Sequence, residues 1–140
     1  MLKLPSAFFT GVRVKKISAE SCVTSVKLKW INQNPFNSMF WAVQGMAAEL
    51  STGALVMAQI RERGAKVSML VANNKATFTK KATGRITFTC SDGIAIQKAI
   101  SATVKTGEGQ TCWMKAEGVD EAGDTVSIFE FEWTVRRKNG

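Results

Sequence analysis

Between Asn37 and Arg61 the chain carries one charged side chain, Glu49, in an otherwise uncharged and mostly apolar stretch. No other feature constrains the fold as much. A run of this length exceeds ordinary strands and predicts a helix. Asn32-Gln33-Asn34-Pro35 breaks the preceding pattern, because proline removes a donor and restricts its neighbour, and Asn37 or Ser38 then offers an N-cap. Gly64 ends the run, with Arg61 and Arg63 near the carbonyl end where the helix dipole favours cations. The predicted helix covers 38–62. Met39, Val43, Met46, Leu50, Ala54 and Met57 form one stripe, and Phe40, Trp41, Ala47 and Leu55 lie on other sides. A helix apolar all round is a buried one. Residues 39–58 would also suffice in length for a membrane span. Glu49 would then lie near the bilayer centre beside Gln44, Ser51 and Thr52, so no span is expected.

On either side the hydrophobic period is two. Val12 and Val14 alternate with Arg13 and Lys15, and Val26, Leu28 and Trp30 with Lys27 and Lys29, which predicts an N-terminal hairpin turning at Ser18-Ala19-Glu20-Ser21. Downstream, strands are expected around Ala76 and Phe78, over Ile86, Phe88 and Cys90, over Cys112, Met114 and Ala116, and over Phe129, Phe131, Trp133 and Val135. The Asp120-Glu121-Ala122-Gly123-Asp124 turn joins the last two. Ser91-Asp92 can cap a short helix carrying Ile96, Ile100 and Val104 on one face, and a strand is the alternative there. The first eight residues suit a short docking helix. The expected architecture is α+β in a single domain over 1–140, an antiparallel sheet wrapped around one long helix.

Composition removes whole classes of chemistry. The chain has no histidine, which excludes a Ser-His-Asp triad, a Cys-His pair and histidine-ligated zinc within one copy. Cys22, Cys90 and Cys112 are widely spaced, fit no zinc or redox motif, and read as reduced thiols of a cytoplasmic protein. The N-terminus lacks the long apolar region of a signal peptide. Net charge is +8, in short clusters such as Lys15-Lys16, Lys80-Lys81 and Arg136-Arg137-Lys138. No nucleic-acid-binding motif accompanies them, so a nucleic-acid partner is not expected.

The order strand, asparagine-bearing loop, buried helix with one carboxylate on its second to third turn, then meander, resembles the hot-dog fold of acyl-CoA thioesterases. That family typically has an asparagine, a His-Gly-Gly segment, and an Asp or Glu nine residues after the histidine. With Asn34 on the family asparagine, Phe40-Trp41-Ala42 stands where His-Gly-Gly does and Glu49 falls on the catalytic carboxylate, without a gap. The resemblance is closest to an uncharacterised branch of thioesterase-like proteins with a Met-aromatic-Trp-Ala run here. It implies a homodimer or tetramer with sheets joined edge to edge and acyl thioester sites between the two long helices. It further implies Glu49 as general base or nucleophile with Asn34 in the catalytic set, the Trp41 and Ala42 amides as oxyanion donors, and Asn37, Ser38, Phe40, Met46 and Thr52 as substrate-binding residues. No metal or cofactor is implied beyond the coenzyme A moiety of the substrate. The substrate class would be fatty-acyl thioesters of coenzyme A or of an acyl carrier protein, whose phosphates or acidic surface the basic clusters would attract.

Two alternatives stand beside this reading. The same pocket can serve a non-catalytic acyl or acyl-CoA binding module, because Trp41 and Ala42 replace glycines that let a thioester approach the backbone. Glu49 can equally be a buried structural acid held by Gln44, Thr52 or backbone groups across a dimer interface.

Overall fold

The computed structural model describes residues 4–139. The chain opens with a short helix, α1 (Pro5–Phe9), and a hairpin of β1 (Arg13–Ile17) and β2 (Cys22–Lys27). Residues 1–3 of the expected docking helix lie outside the described residues. The hairpin turns as its sequence predicts: Ser18 Oγ accepts hydrogen bonds from the Glu20 and Ser21 amides. β2 is shorter than expected. Lys29 N–H donates to Asn32 Oδ1, which draws Trp30–Asn32 into a 3-10 turn and leaves Trp30 exposed, not on the buried face of a strand.

The long helix, α2 (Trp41–Arg63), starts three residues later than expected, and neither Asn37 nor Ser38 caps it. Asn37 adopts a left-handed turn conformation at φ 60°. Ser38 C=O accepts from Asn34 N–H, and the chain then stays extended as Met39 and Phe40 donate to Ala82 and Asn32. These long-range bonds override the local capping preference. The other end follows the sequence: Gly64 closes α2 in the left-handed conformation with Arg61 and Arg63 in the last turn.

After α2 come β3 (Val67–Phe78), β4 (Arg85–Cys90), α3 (Gly93–Thr106), β5 (Gln110–Val119) and β6 (Thr125–Arg137). The strand alternative over 93–106 is thus settled as a helix, with Ile96 and Ile100 fully buried. One antiparallel sheet runs in the order β1-β2-β4-β5-β6-β3. α2 packs across β1, β2, β4, β5 and β6, and α3 lies beside it over β5 and β6. The alternation expected for β5 and β6 points Met114, Ala116, Phe129, Phe131, Trp133 and Val135 at the helices. Fully buried Leu55, Phe88 and Met114 each contribute about 1.5–3 kcal/mol from leaving water.

β3 is far longer than the two positions its sequence advertised. It pairs along its whole length with β6, and a bulge between Val71 and Asn73 breaks the period. Beyond the bulge every residue is exposed, so the outer half has no apolar face to betray it. β3 and β1 are the two sheet edges. Cys22 and Cys90 face each other across β2 and β4 as buried free thiols, pushed up to about 11 and about 12 by burial and thus un-ionised near neutrality.

Candidate active site

Ala42, Met46, Glu49, Gly53 and Met57 lie on one face of α2, at the i, i+4, i+7, i+11 and i+15 positions that a 3.6-residue helix superposes. This face is the least covered part of the helix: Glu49 and Met57 are exposed in the single chain, and Ala42 and Met46 are half-buried. The expectation of a helix buried on every side is therefore corrected for the single chain. Met46, Glu49, Leu50, Gly53, Ala54 and Met57 form one wall of an open hollow of about 340 Å³. The opposite wall is Leu4 to Ala7 at α1, and Met69 and Trp133 close the floor. No described residue forms an ion pair or side-chain hydrogen bond with the Glu49 carboxylate; only its backbone carbonyl is bonded, accepting from Thr52 Oγ1 at 2.8 Å. The apolar walls desolvate the carboxylate and raise its pKa above the ordinary glutamate range.

The two side chains expected to hold Glu49 structurally are engaged elsewhere. Gln44 is buried; its Oε1 accepts from Ser127 Oγ at 2.7 Å and its Nε2 donates to the Met39 carbonyl. Thr52 is fully buried, so the structure places it behind the open face, where its hydroxyl accepts from Trp133 Nε1 at 2.9 Å. Thr52 thereby fixes the indole that floors the hollow. Thr52→Val keeps the shape but strands the buried indole N–H, which costs about 1–3 kcal/mol. Urea unfolding should show that loss, while Thr52→Ser should unfold like the wild type.

The remaining candidates gather around the start of α2. Asn34 Oδ1 accepts from the Phe36 and Ser38 amides and from Ser38 Oγ, which makes Asn34 the organiser of the 34–38 turn. Asn34, Ser38, Phe40 and Trp41 line a second hollow of about 520 Å³ with Lys80 and Lys81, and Asn37 is exposed beside it. Lys80 is already paired with Asp120 at 2.7 Å and Asp124 at 2.8 Å, while Lys81, 5.9 Å over the Phe36 ring, has no acidic partner among the described residues. The first intrahelical bonds of α2 run from Val43 and Gln44 to the Phe40 carbonyl, and the Trp41 and Ala42 amides donate no bond to any described residue. Two N–H groups at a helix start are a ready place for developing negative charge.

One copy of the chain does not bring these two groups together. Ala42 and Glu49 share a face but sit about 11 Å apart along the axis, and the two hollows share no residue. Sequence reasoning missed α1, Met69 and Trp133 as walls, since each comes from a different element and carries no spacing signal. No group of three or more His, Cys, Asp or Glu among the described residues is placed to hold a metal, and no helix is long and apolar enough to cross a membrane.

Comparison with solved structures assigns the architecture. A Pseudomonas aeruginosa protein of unknown function, described as a probable thioesterase, superposes with a TM-score of 0.85 at 19% identity, over 97% of this chain and 89% of that one. A Chlorobaculum tepidum protein of unknown function gives 0.83 at 14% identity, over 96% and 88%. A variant of a Staphylococcus aureus thioesterase enzyme gives 0.73 at 12% identity, over 97% and 99%. The expected hot-dog fold is thereby shown. No curated protein matches the sequence significantly. The family model described as "Domain of unknown function (DUF4442)" matches residues 1–135, and the chain belongs to that family.

Proposed function

We propose that the protein hydrolyses acyl thioesters as a dimer, with each site built from Glu49 of one copy and the α2 start of the other. The observation that carries this is the Glu49 carboxylate, without a side-chain partner among the described residues, facing an apolar hollow on the uncovered side of α2 that raises its pKa. An acid retained there with a raised pKa and no partner among the described residues suits a general base. A two-fold axis placing two α2 helices antiparallel about a point between Ala42 and Glu49 sets each carboxylate against the other copy's free amides. The exposed outer edge of β3 is a strand ready to pair with its own copy, and such pairing would join the sheets.

In the reaction, the Glu49 carboxylate takes a proton from water as the water oxygen bonds to the thioester carbonyl carbon. The carbonyl oxygen becomes an oxyanion between the Trp41 and Ala42 amides. Collapse restores the carbonyl, breaks the C–S bond and expels the thiolate, which takes the proton from Glu49. The products are a carboxylic acid and a free thiol. The apolar hollow of Met46, Leu50, Met57 and Met69 suits an aliphatic acyl chain, and Lys81 with the α2 start suits the phosphates of a coenzyme A or carrier-protein arm.

A non-catalytic binding module remains the second reading, favoured by the bulky exposed Trp41 at the helix start. Thiol release from acyl-CoAs of several chain lengths tests both. Release supports the hydrolase, and saturable binding without release supports the module.

A further inference from the structure

Asn32 is a buried hub at one end of the molecule. Its Nδ2 donates to the Thr10 and Lys27 carbonyls, both at 2.9 Å, and its Oδ1 accepts from Lys29 N–H. These bonds tie the α1–β1 turn to the end of β2 and the 3-10 turn, bringing two sets of exposed apolar side chains to one place. Phe9 at the end of α1 is 71% exposed, Trp30 is 84% exposed and Ile31 is 56% exposed. Three large apolar side chains held this far out of the surface are unusual, because exposed apolar residues normally occur singly.

Their surroundings are basic. Arg13 stacks 4.2 Å over the Phe8 ring and donates to the Phe8 carbonyl, and Lys27 and Lys29 are exposed on the adjoining strand end and turn. From Leu4 to Ala48 the cations are Arg13, Lys15, Lys16, Lys27 and Lys29, against the single acid Glu20. Glu20 sits in the β1–β2 turn, at the far end of the hairpin from Trp30. Glu121, on the β5–β6 turn, accepts from the Arg85 amide beside Gly84. β1 and β2 also lie at the opposite end of the sheet from β3.

We propose that the Phe9, Trp30 and Ile31 knob docks the protein on an anionic lipid bilayer, the rings entering the headgroup and acyl boundary while Arg13, Lys27 and Lys29 meet lipid phosphates. Charge complementarity argues for this occupant, and so does shape. The side chains protrude instead of lining a groove, as side chains that enter a membrane interface do, and tryptophan beside lysine is suited to that depth. Bilayer docking needs neither turnover nor Glu49, so it stands or falls apart from the proposed hydrolysis.

The test is flotation of the full chain with vesicles of phosphatidylcholine alone and of phosphatidylcholine mixed equally with phosphatidylglycerol. Expected is binding to the mixed vesicles only, weakened by added salt. Lys29→Gln should weaken it about fivefold, as removal of one cation at such a surface does. Phe9→Ala combined with Trp30→Ala should weaken it more than about tenfold, and both exposed sites allow folding, which the far-ultraviolet spectrum checks. No binding to either vesicle overturns the proposal, and so does binding that survives loss of Phe9 and Trp30. If sedimentation of the wild type shows an assembly that dissociates in the Trp30→Ala variant, without vesicle binding, the knob joins protein copies and the lipid reading is wrong.

Discussion

Glu49→Gln is expected to lower thioester hydrolysis by about 10²–10⁴-fold, the usual worth of a positioned general base, while leaving the fold intact. The carboxylate makes no side-chain hydrogen bond or ion pair with a described residue, so replacing it with the isosteric amide breaks none of those among the described residues. Desolvation by the apolar walls raises its pKa, so the native state holds its proton more tightly than the unfolded chain does. Stability from this group is fully present below the unfolded carboxylate pKa and is lost as pH rises through the raised native value. Near neutrality Glu49→Gln should therefore unfold no earlier than the wild type. Activity runs the other way: the base must be deprotonated, so the acid limb of the pH–rate profile should lie above the ordinary glutamate range. Thiol release across pH, set against thermal unfolding, checks both. A marked loss of stability in Glu49→Gln would instead make the acid structural.

Gly93→Ala should have the largest effect on stability of any single-methyl change. In an ordinary helix the substitution gains up to about 1 kcal/mol from chain entropy. Here a Cβ would meet the Ala19 carbonyl oxygen and lie 2.7 Å from Glu20 Cα, which is backbone that no rotamer change can move. Gly93 N–H also donates to the Glu20 carbonyl at 3.0 Å, so making room breaks that bond. The expected sum is a loss of about 3 kcal/mol, or a fall in Tm of roughly 10 °C, measured by calorimetry. An unchanged or higher Tm would mean that α3 does not rest on the β1–β2 turn.

Much of this fold was legible because local signals agreed with the tertiary structure. Gly64, the serine-rich hairpin turn and the alternation of β5 and β6 each state in a few residues what the whole chain does there. Where long-range bonds decide, the local signals mislead. Asn37 and Ser38 have the chemistry of caps, yet the Ala82 and Asn32 carbonyls hold the chain extended until Phe40. Trp30 continues an alternating pattern, yet the Asn32 side chain ends the strand first. The outer half of β3 has no buried face and so carries no period.

The candidate site divides in the same way. Glu49 stood out because a lone acid in an apolar run is visible without coordinates. Its exposure was not, since burial was inferred from neighbours along the helix while α2 leaves one face open. Nor could spacing reveal that Asn34 spends its side-chain oxygen on its own turn, or that Thr52 serves Trp133.

The central claim, a site shared between copies, has a direct test in mixed dimers. Trp41→Pro removes one oxyanion donor with little cost to the helix, because proline suits the first helical position and Phe40 before it already has φ −58° and ψ 132°. Glu49→Gln and Trp41→Pro should each be inactive alone. When the two are unfolded together and refolded in equal amounts, a site built from both copies recovers about a quarter of wild-type thiol release, since each mixed dimer regains one intact site. Recovery at that level is the result this account predicts; no recovery, with mixed dimers shown to form, would contradict it.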